Sequence, residues 1–163
     1  DFPIEKITSR LKGTNKSIIF TQDDIEYILD LQCNRTDTLN VLMMLYPSLD
    51  FNNKFHIDHI YPKSKFSKKN LEAKGVSSDK ISEYVDHVND IENLQLLAAI
   101  PNIEKQDEDF NIWFSKNYVT DEDKTQYRLT NYMPDMNYSY ANFLQFLAER
   151  RSIIKEALFK ELL

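Results

Sequence analysis

Phe55-His56-Ile57-Asp58-His59-Ile60-Tyr61-Pro62 sets a carboxylate and an imidazole side by side at the end of an alternating apolar run. Downstream, Asn93 and the segment Asn102-Ile103-Glu104-Lys105 add amides and an ammonium that reach the same place if the chain doubles back. A carboxylate and an amide oxygen suit a hard cation, which prefers oxygen ligands and keeps several waters. An imidazole, with an ordinary pKa of about 6.5, suits proton removal from water at neutral pH. Hydrolysis of a phosphodiester needs an activated water, relief of charge at phosphorus and help for the leaving oxygen. On this reading Asp58 and Asn102 hold Mg2+ or another divalent ion such as Mn2+. His59 is the general base, its second ring nitrogen oriented by an acceptor, most simply a backbone carbonyl.

The elements around these residues must bring them together. Phe55 to Ile60 alternates as a short strand does, and Pro62 ends it. Strand alternation points Asp58 and His59 to opposite faces, so a shared site needs the strand to end or distort there. Ile91 to Leu97 is a second strand-like run, and Pro101 opens a helix that carries Asn102 and Lys105 one turn apart. Between the strands, Ser67 to Lys74 forms a helical turn ended by Gly75. Ser77 or Ser78 caps a helix whose apolar face is Ile81, Tyr84, Val85 and Val88.

The first 50 residues read as three scaffold helices. Asp1 caps the first, with Pro3 in its first turn and Gly13 at its end. Thr21 to Asp24 resembles a capping box for the second, which carries Ile25, Ile28 and Leu29. Thr36 or Asp37 caps the third, which carries Leu39, Leu42, Met43 and Tyr46 and stops at Pro47. Phe110, Trp113, Phe114 and Asn117 follow at helical spacing. A tyrosine-rich connector (Tyr127, Tyr132, Tyr138, Tyr140) leads to a long amphipathic helix capped by Ser139 and running toward Leu162. The reading is one α+β domain over 1–163, mostly helical. A helical scaffold spans 1–50, a strand–helix core with an inserted helix spans 51–118, and a connector with the C-terminal helix spans 119–163.

Composition narrows the classes. The chain has 163 residues, 42% of them hydrophobic, enough for a packed core. Two glycines disfavour phosphate-cradling loops and hairpin-rich folds, and the single Cys33 rules out an internal disulfide and a cysteine-built zinc site. With no apolar run long enough to span a bilayer and no secretion leader, the expected setting is cytoplasmic, with no membrane partner. The chain starts at Asp1, and the expectation is a piece of a larger protein with a domain upstream. The net charge of −6 is unlike a bulk-electrostatic DNA binder. Lys54, Lys63, Lys65, Lys68, Lys69 and Lys74 nevertheless flank the Asp58-His59 pair, against only Asp58 and Glu72 in that stretch. Lys63, Lys65, Lys68 and Lys69 are the candidate phosphate contacts, with a solvated face as the plainer alternative.

Other roles stay open. Asn102 also suits a helix N-cap after Pro101, and Asp58 a turn cap. His56, two residues before Asp58 and so on the same strand face, can touch a metal, hold a phosphate or satisfy a backbone group. Lys105 can contact the scissile phosphate or lie exposed on its helix. Trp113 with Phe110 and Phe114 reads as core, and His87 as a surface histidine. The connector tyrosines suit packing under the last helix at least as well as base stacking. Arg150 and Arg151 can reach phosphates, with solvent exposure the default.

His56-Ile57-Asp58-His59-Ile60-Tyr61-Pro62, Asn93-Leu94-Gln95-Leu96-Leu97 and Asn102-x-x-Lys105 resemble the HNH endonuclease motif of ββα-metal architecture, with Asn93 nine residues before Asn102. The resemblance implies Asp58 and Asn102 as metal ligands and His59 as base. It also implies that Asn93 braces the loop between the strands and so holds the base in place. Over most of the chain, the preceding helices, the His-x-Asp-His-x-x-Pro form, the Asn-Leu-x-Leu-Leu strand and the C-terminal helix with Arg150 and Arg151 are similar to the C-terminal nuclease domain of GmrSD-type modification-dependent restriction proteins. That similarity implies a DNA substrate, a role in restriction and phage defence, and an upstream nucleotide-hydrolysing or DNA-sensing domain. One departure is the long interval from His59 to Asn93, which holds an inserted helix; loops absorb such length at small cost. Two rivals stand beside this reading: an RNA-directed nuclease, and a degenerate, non-catalytic module that binds nucleic acid or protein.

Overall fold

The computed structural model describes residues 3–12, 14, 20–33, 36–46, 49, 55–98 and 105–162. The expected Asp1 cap, Gly13, Pro47, Lys54, Pro101 and Asn102 lie outside them. Three helices come first: α1 (Ile4–Leu11), α2 (Gln22–Leu29) and α3 (Thr36–Leu45). The capping box of α2 is complete. The Thr21 hydroxyl accepts from the Asp24 N–H, and the Asp24 carboxylate accepts from the Thr21 N–H at 2.8 Å. These bonds satisfy donors that a helix start leaves unpaired.

Strand β1 (Phe55–His59) pairs antiparallel with β2 (Leu94–Ala98), the only sheet among the described residues. The register sets Asp58 opposite Gln95 and His59 opposite Leu94. Ile91–Asn93, expected to belong to the second strand, forms a 3-10 turn instead, so β2 starts at Leu94. The excursion between the strands holds α4 (Lys68–Ala73) and α5 (Ile81–His87). Ser67 caps α4 by accepting from the Asn70 N–H. Gly75, at φ +82°, turns the chain out of it in a conformation that costs other residues more. Val85, expected on the apolar face of α5, is exposed, as is Leu39 of α3.

The rest of the chain is α6 (Phe110–Asn117), α7 (Asp121–Thr130) and α8 (Phe143–Leu162), the last entered through a 3-10 turn over Tyr140–Asn142. Helix α7 lies where a connector was expected. The Thr120 hydroxyl caps it by accepting from the Asp123 N–H at 3.0 Å, and three acids fill its first turn, where the helix dipole favours negative charge. It buries only Tyr127, too little apolar periodicity to mark it as a helix.

Two apolar clusters divide the protein, and α8 runs through both. Its first half gives Phe143, Phe146 and Leu147 to a cluster with Tyr61, Phe66 and Trp113. Its second half gives Ile154 and Leu158 to a cluster with Ile25, Leu42 and Leu94. The sheet lies between them: Leu94 and Leu96 face the second cluster, while Leu97 joins the first. No helix among the described residues is long and apolar enough to cross a membrane.

Candidate functional site

Asp58 projects from β1 into a pocket of polar partners. It is 7% exposed, and Lys105, beside it, is fully buried. The Lys105 ammonium donates to Asp58 Oδ1 at 3.1 Å, lies 2.9 Å from Oδ2, and donates to the His59 carbonyl at 2.9 Å. Gln95, opposite in the register, donates its side-chain amide to Asp58 Oδ2 at 2.9 Å and accepts from the Tyr127 hydroxyl at 2.6 Å. The result is a buried line of polar groups, Tyr127–Gln95–Asp58–Lys105, in which each group satisfies the next. A buried polar group left unpaired is costly, so the members depend on one another. Lys105 is therefore neither the exposed helix lysine nor a free phosphate contact in this arrangement.

His59 is placed differently. Its Nε2 lies 3.2 Å from Asn89 Oδ1. With that amide oxygen as acceptor, Nε2 carries the proton and Nδ1 keeps the lone pair. The orienting group is a side-chain amide, not the backbone carbonyl expected. Burial holds the His59 pKa below its ordinary value. The Asn89 bond and the Asp58 charge oppose this, while Lys63 and Lys105 add to the lowering. The neutral imidazole a base needs is thus the favoured form at neutral pH. Strand alternation holds through His59, which stays paired with Leu94. Asp58 and His59 accordingly take different side-chain partners and are joined through Lys105, which bonds the carboxylate of one and the carbonyl of the other.

Asn93 is fully buried behind this pair. Its Oδ1 accepts from the Tyr61 N–H at 2.9 Å, and its Nδ2 donates to the Tyr61 carbonyl at 3.1 Å and the Val88 carbonyl at 2.8 Å. Its own carbonyl accepts from the Ile60 N–H at 2.8 Å. These bonds clamp the exit of β1 to the entry of β2 and to the end of α5.

The remaining candidates scatter. His56 is exposed on the Asp58 side of β1. Lys63, Lys68 and Lys69 are exposed; Lys65 is paired with Asp107 at 3.0 Å and Lys74 with Asp109, and the Lys74 ammonium also lies 4.4 Å from the centre of the Tyr140 ring. Asn102 lies outside the described residues. Arg150 and Arg151 are both engaged by the protein itself, Arg150 in the core and Arg151 at its edge. Arg150 is fully buried and donates to the carbonyls of Glu92, Leu94, Asn131 and Tyr132. Arg151 bonds the Leu29 carbonyl at 2.6 Å and the carboxylates of Glu92 and Asp30, each at 2.8 Å.

Asn89, Gln95 and Tyr127 were not foreseen as site residues. Gln95 had a signal, a lone polar residue inside Leu94–Leu97 at the position facing Asp58; Asn89 and Tyr127 had none beyond their polarity. As arranged, the described residues do not form a cation site. Among them no group of three histidine, cysteine or acidic side chains could hold a metal, and both oxygens of Asp58 are engaged by Lys105 and Gln95.

No curated protein matches the sequence at a significant level. A family model described as GmrSD restriction endonucleases, C-terminal domain, matches residues 3–152. That match takes in the strands, the clamp at Asn93, the Asp58–Lys105 pair and α8 as far as Arg150 and Arg151, and the chain belongs to this family.

Proposed function

We propose that this chain is a divalent-metal-dependent HNH endonuclease domain that hydrolyses DNA phosphodiester bonds in restriction and phage defence. In the proposed whole protein, an upstream nucleotide-hydrolysing or DNA-sensing domain selects the substrate. One observation carries the reading: His59, in a chain of the GmrSD family, is a half-buried imidazole with a lowered pKa, oriented by Asn89 and set beside an acid. In the proposed reaction His59 Nδ1 takes a proton from water. The water oxygen bonds to phosphorus as the bond to the 3′ oxygen breaks, and the departing 3′ oxygen takes a proton from a solvent water and leaves as a hydroxyl. Asn93 keeps the base on station by fixing the chain on either side of it. Asp58 and Asn102 are the proposed ligands of Mg2+ or Mn2+, and Lys63, Lys68 and Lys69 the proposed backbone contacts.

A second reading has one observation in its favour. The Asp58 carboxylate is closed by Lys105, as a non-catalytic module would tolerate. Incubating the purified chain with supercoiled plasmid and with single-stranded RNA, with manganese and with chelator, separates the readings. Manganese-dependent relaxation of plasmid, lost in His59→Ala with the fold intact, supports the proposal. Binding without cleavage of either substrate supports the module, and cleavage of RNA alone supports an RNA-directed enzyme.

A further inference from the structure

We infer that the cavity between α5 and the first half of α8 is a docking pocket for an arginine side chain carried by a basic segment of a partner protein. The inference stands apart from the proposed reaction. The cavity measures about 260 Å3, far more than the roughly 10–15 Å3 that admits one water. Its floor is apolar: Leu144, Leu147 and Ala148 lie at i, i+3 and i+4 on one face of α8. Its walls are acidic. Glu83 and His87 come from α5, and Asp90 and Glu92 from the turn that leads into β2. An apolar floor under acidic walls suits a side chain with a methylene stem and a cationic head.

The charges in the cavity are only partly compensated. Glu92 is 3% exposed, yet it lines the cavity. Arg151 donates to its Oε1 at 2.8 Å, and among the described residues no other residue bonds its Oε2. Burial raises the Glu92 pKa and the Asp90 charge adds to this, while Arg151 opposes it. Arg151 is itself shared with Asp30 and Glu26, so it has no spare charge to draw an anion in. Asp90 is held by His87 at 2.6 Å and by Gln32 at 2.9 Å. The Glu83 carboxylate makes no ion pair or hydrogen bond among the described residues. A guanidinium is the head group that fits: its planar fork has five donors, and it is more weakly hydrated than an ammonium. Exposed Asp86, one turn from Glu83 on α5, sets a further negative charge beside the pocket. A segment with a second basic residue next to the arginine therefore complements this surface better than a single cation does.

Backbone-amide NMR of the 163-residue chain at low salt tests this. The probes are a blocked Gly-Arg-Lys-Gly peptide, its twin with neutral citrulline in place of arginine, and spermidine. The arginine peptide should shift the resonances of Leu144, Leu147 and Ala148 to saturation, and the citrulline twin should bind about tenfold more weakly. Glu83→Gln, at an exposed position that leaves the fold alone, should weaken the arginine peptide by about two- to fivefold. Ala148→Trp, also at an exposed position and checked by circular dichroism, fills the cavity and should abolish binding. Equal binding of the two peptides, or shifts that miss those three residues, overturns the inference. Spermidine saturating the pocket where the arginine peptide does not would assign it to a small polyamine instead. A dimer seen in sedimentation and dissolved by Ala148→Trp would assign it to a second copy of the chain. Either result overturns the partner segment.

Discussion

Asn93 and Tyr61, 32 residues apart, close a ring on each other: the amide oxygen of Asn93 accepts from the Tyr61 N–H, and its amide nitrogen donates to the Tyr61 carbonyl. No other residue type offers an acceptor and a donor at that reach and size. Asn93→Ala leaves buried backbone groups of Tyr61 and Val88 without partners, at a cost of about 2–4 kcal/mol. Asn93→Asp keeps the acceptor but turns a carboxylate oxygen against the Tyr61 and Val88 carbonyls at a fully buried position, and should cost at least as much as alanine. Urea unfolding followed by circular dichroism reads this; a loss below about 0.5 kcal/mol in the alanine variant would show that the ring is incidental.

His59 has a lowered pKa through burial, so cleavage should rise with pH and level off below the ordinary histidine value of about 6.5. Stability carries the matching sign. Between the folded and unfolded pKa values the unfolded chain binds more protons, so stability falls as pH drops through about 6.5 and toward the folded value. Urea titrations from about pH 8 to about pH 5 should show a smaller fall for His59→Gln than for wild type. Parallel curves for the two would refute a buried neutral His59.

Arg150 reaches carbonyls on two separate segments, Glu92 with Leu94 and Asn131 with Tyr132. Arg150→Met should cost about 3–5 kcal/mol, comparable to breaking a buried charged network. Arg150→Lys should not restore it, because a single ammonium cannot reproduce the planar fork of a guanidinium. Thermal melts decide between this and a phosphate contact, for which DNA affinity would drop with the melting temperature unchanged.

Tyr127 donates the bond that fixes Gln95, and Gln95 in turn fixes Asp58. Tyr127→Phe removes one oxygen and leaves the Gln95 carbonyl oxygen unpaired, for a loss of about 1–3 kcal/mol. Differential scanning calorimetry measures it, and an unchanged melting temperature would show that the hydroxyl contributes nothing.

Lys69 and Lys63 are exposed, whereas Lys65 is paired with Asp107. Replacing Lys69 or Lys63 with glutamine should weaken DNA binding and reduce the salt slope by about one for each phosphate that is no longer neutralised. Stability should stay within about 0.5 kcal/mol of wild type. Fluorescence anisotropy over a salt series supplies the slope; an unaltered slope removes that lysine from the interface.

Local signals in the sequence marked much of the fold. The Thr21 capping box, the helical turn after Ser67 ended by Gly75 and the alternation of β1 are each written in a few neighbouring residues. They appear in the structure at those positions. Helix α7 escaped because its one buried residue, Tyr127, gives no period to read. The site divides in the same way. Asp58, His59 and Asn93 stand out by type and order, but the buried Lys105–Asp58 pair is a long-range meeting that no local pattern encodes. Arg150 misled for a related reason: long charged side chains default to solvent, and only the converging carbonyls of two distant turns make burial favourable.

The pairing of β1 with β2 bears also on how the protein forms. The strands meet only after the chain has left Tyr61, built α4 and α5, and returned to Asn93, so closing that loop costs entropy before any strand contact repays it. The intervening segment supplies Phe66, Leu71 of α4 and Tyr84 of α5 to the core that receives α8. The strand pair should therefore gain protection from hydrogen exchange together with those helices and not ahead of them. In a newly made chain the proposed site at Asp58 and His59 would come together only once the last helix had docked.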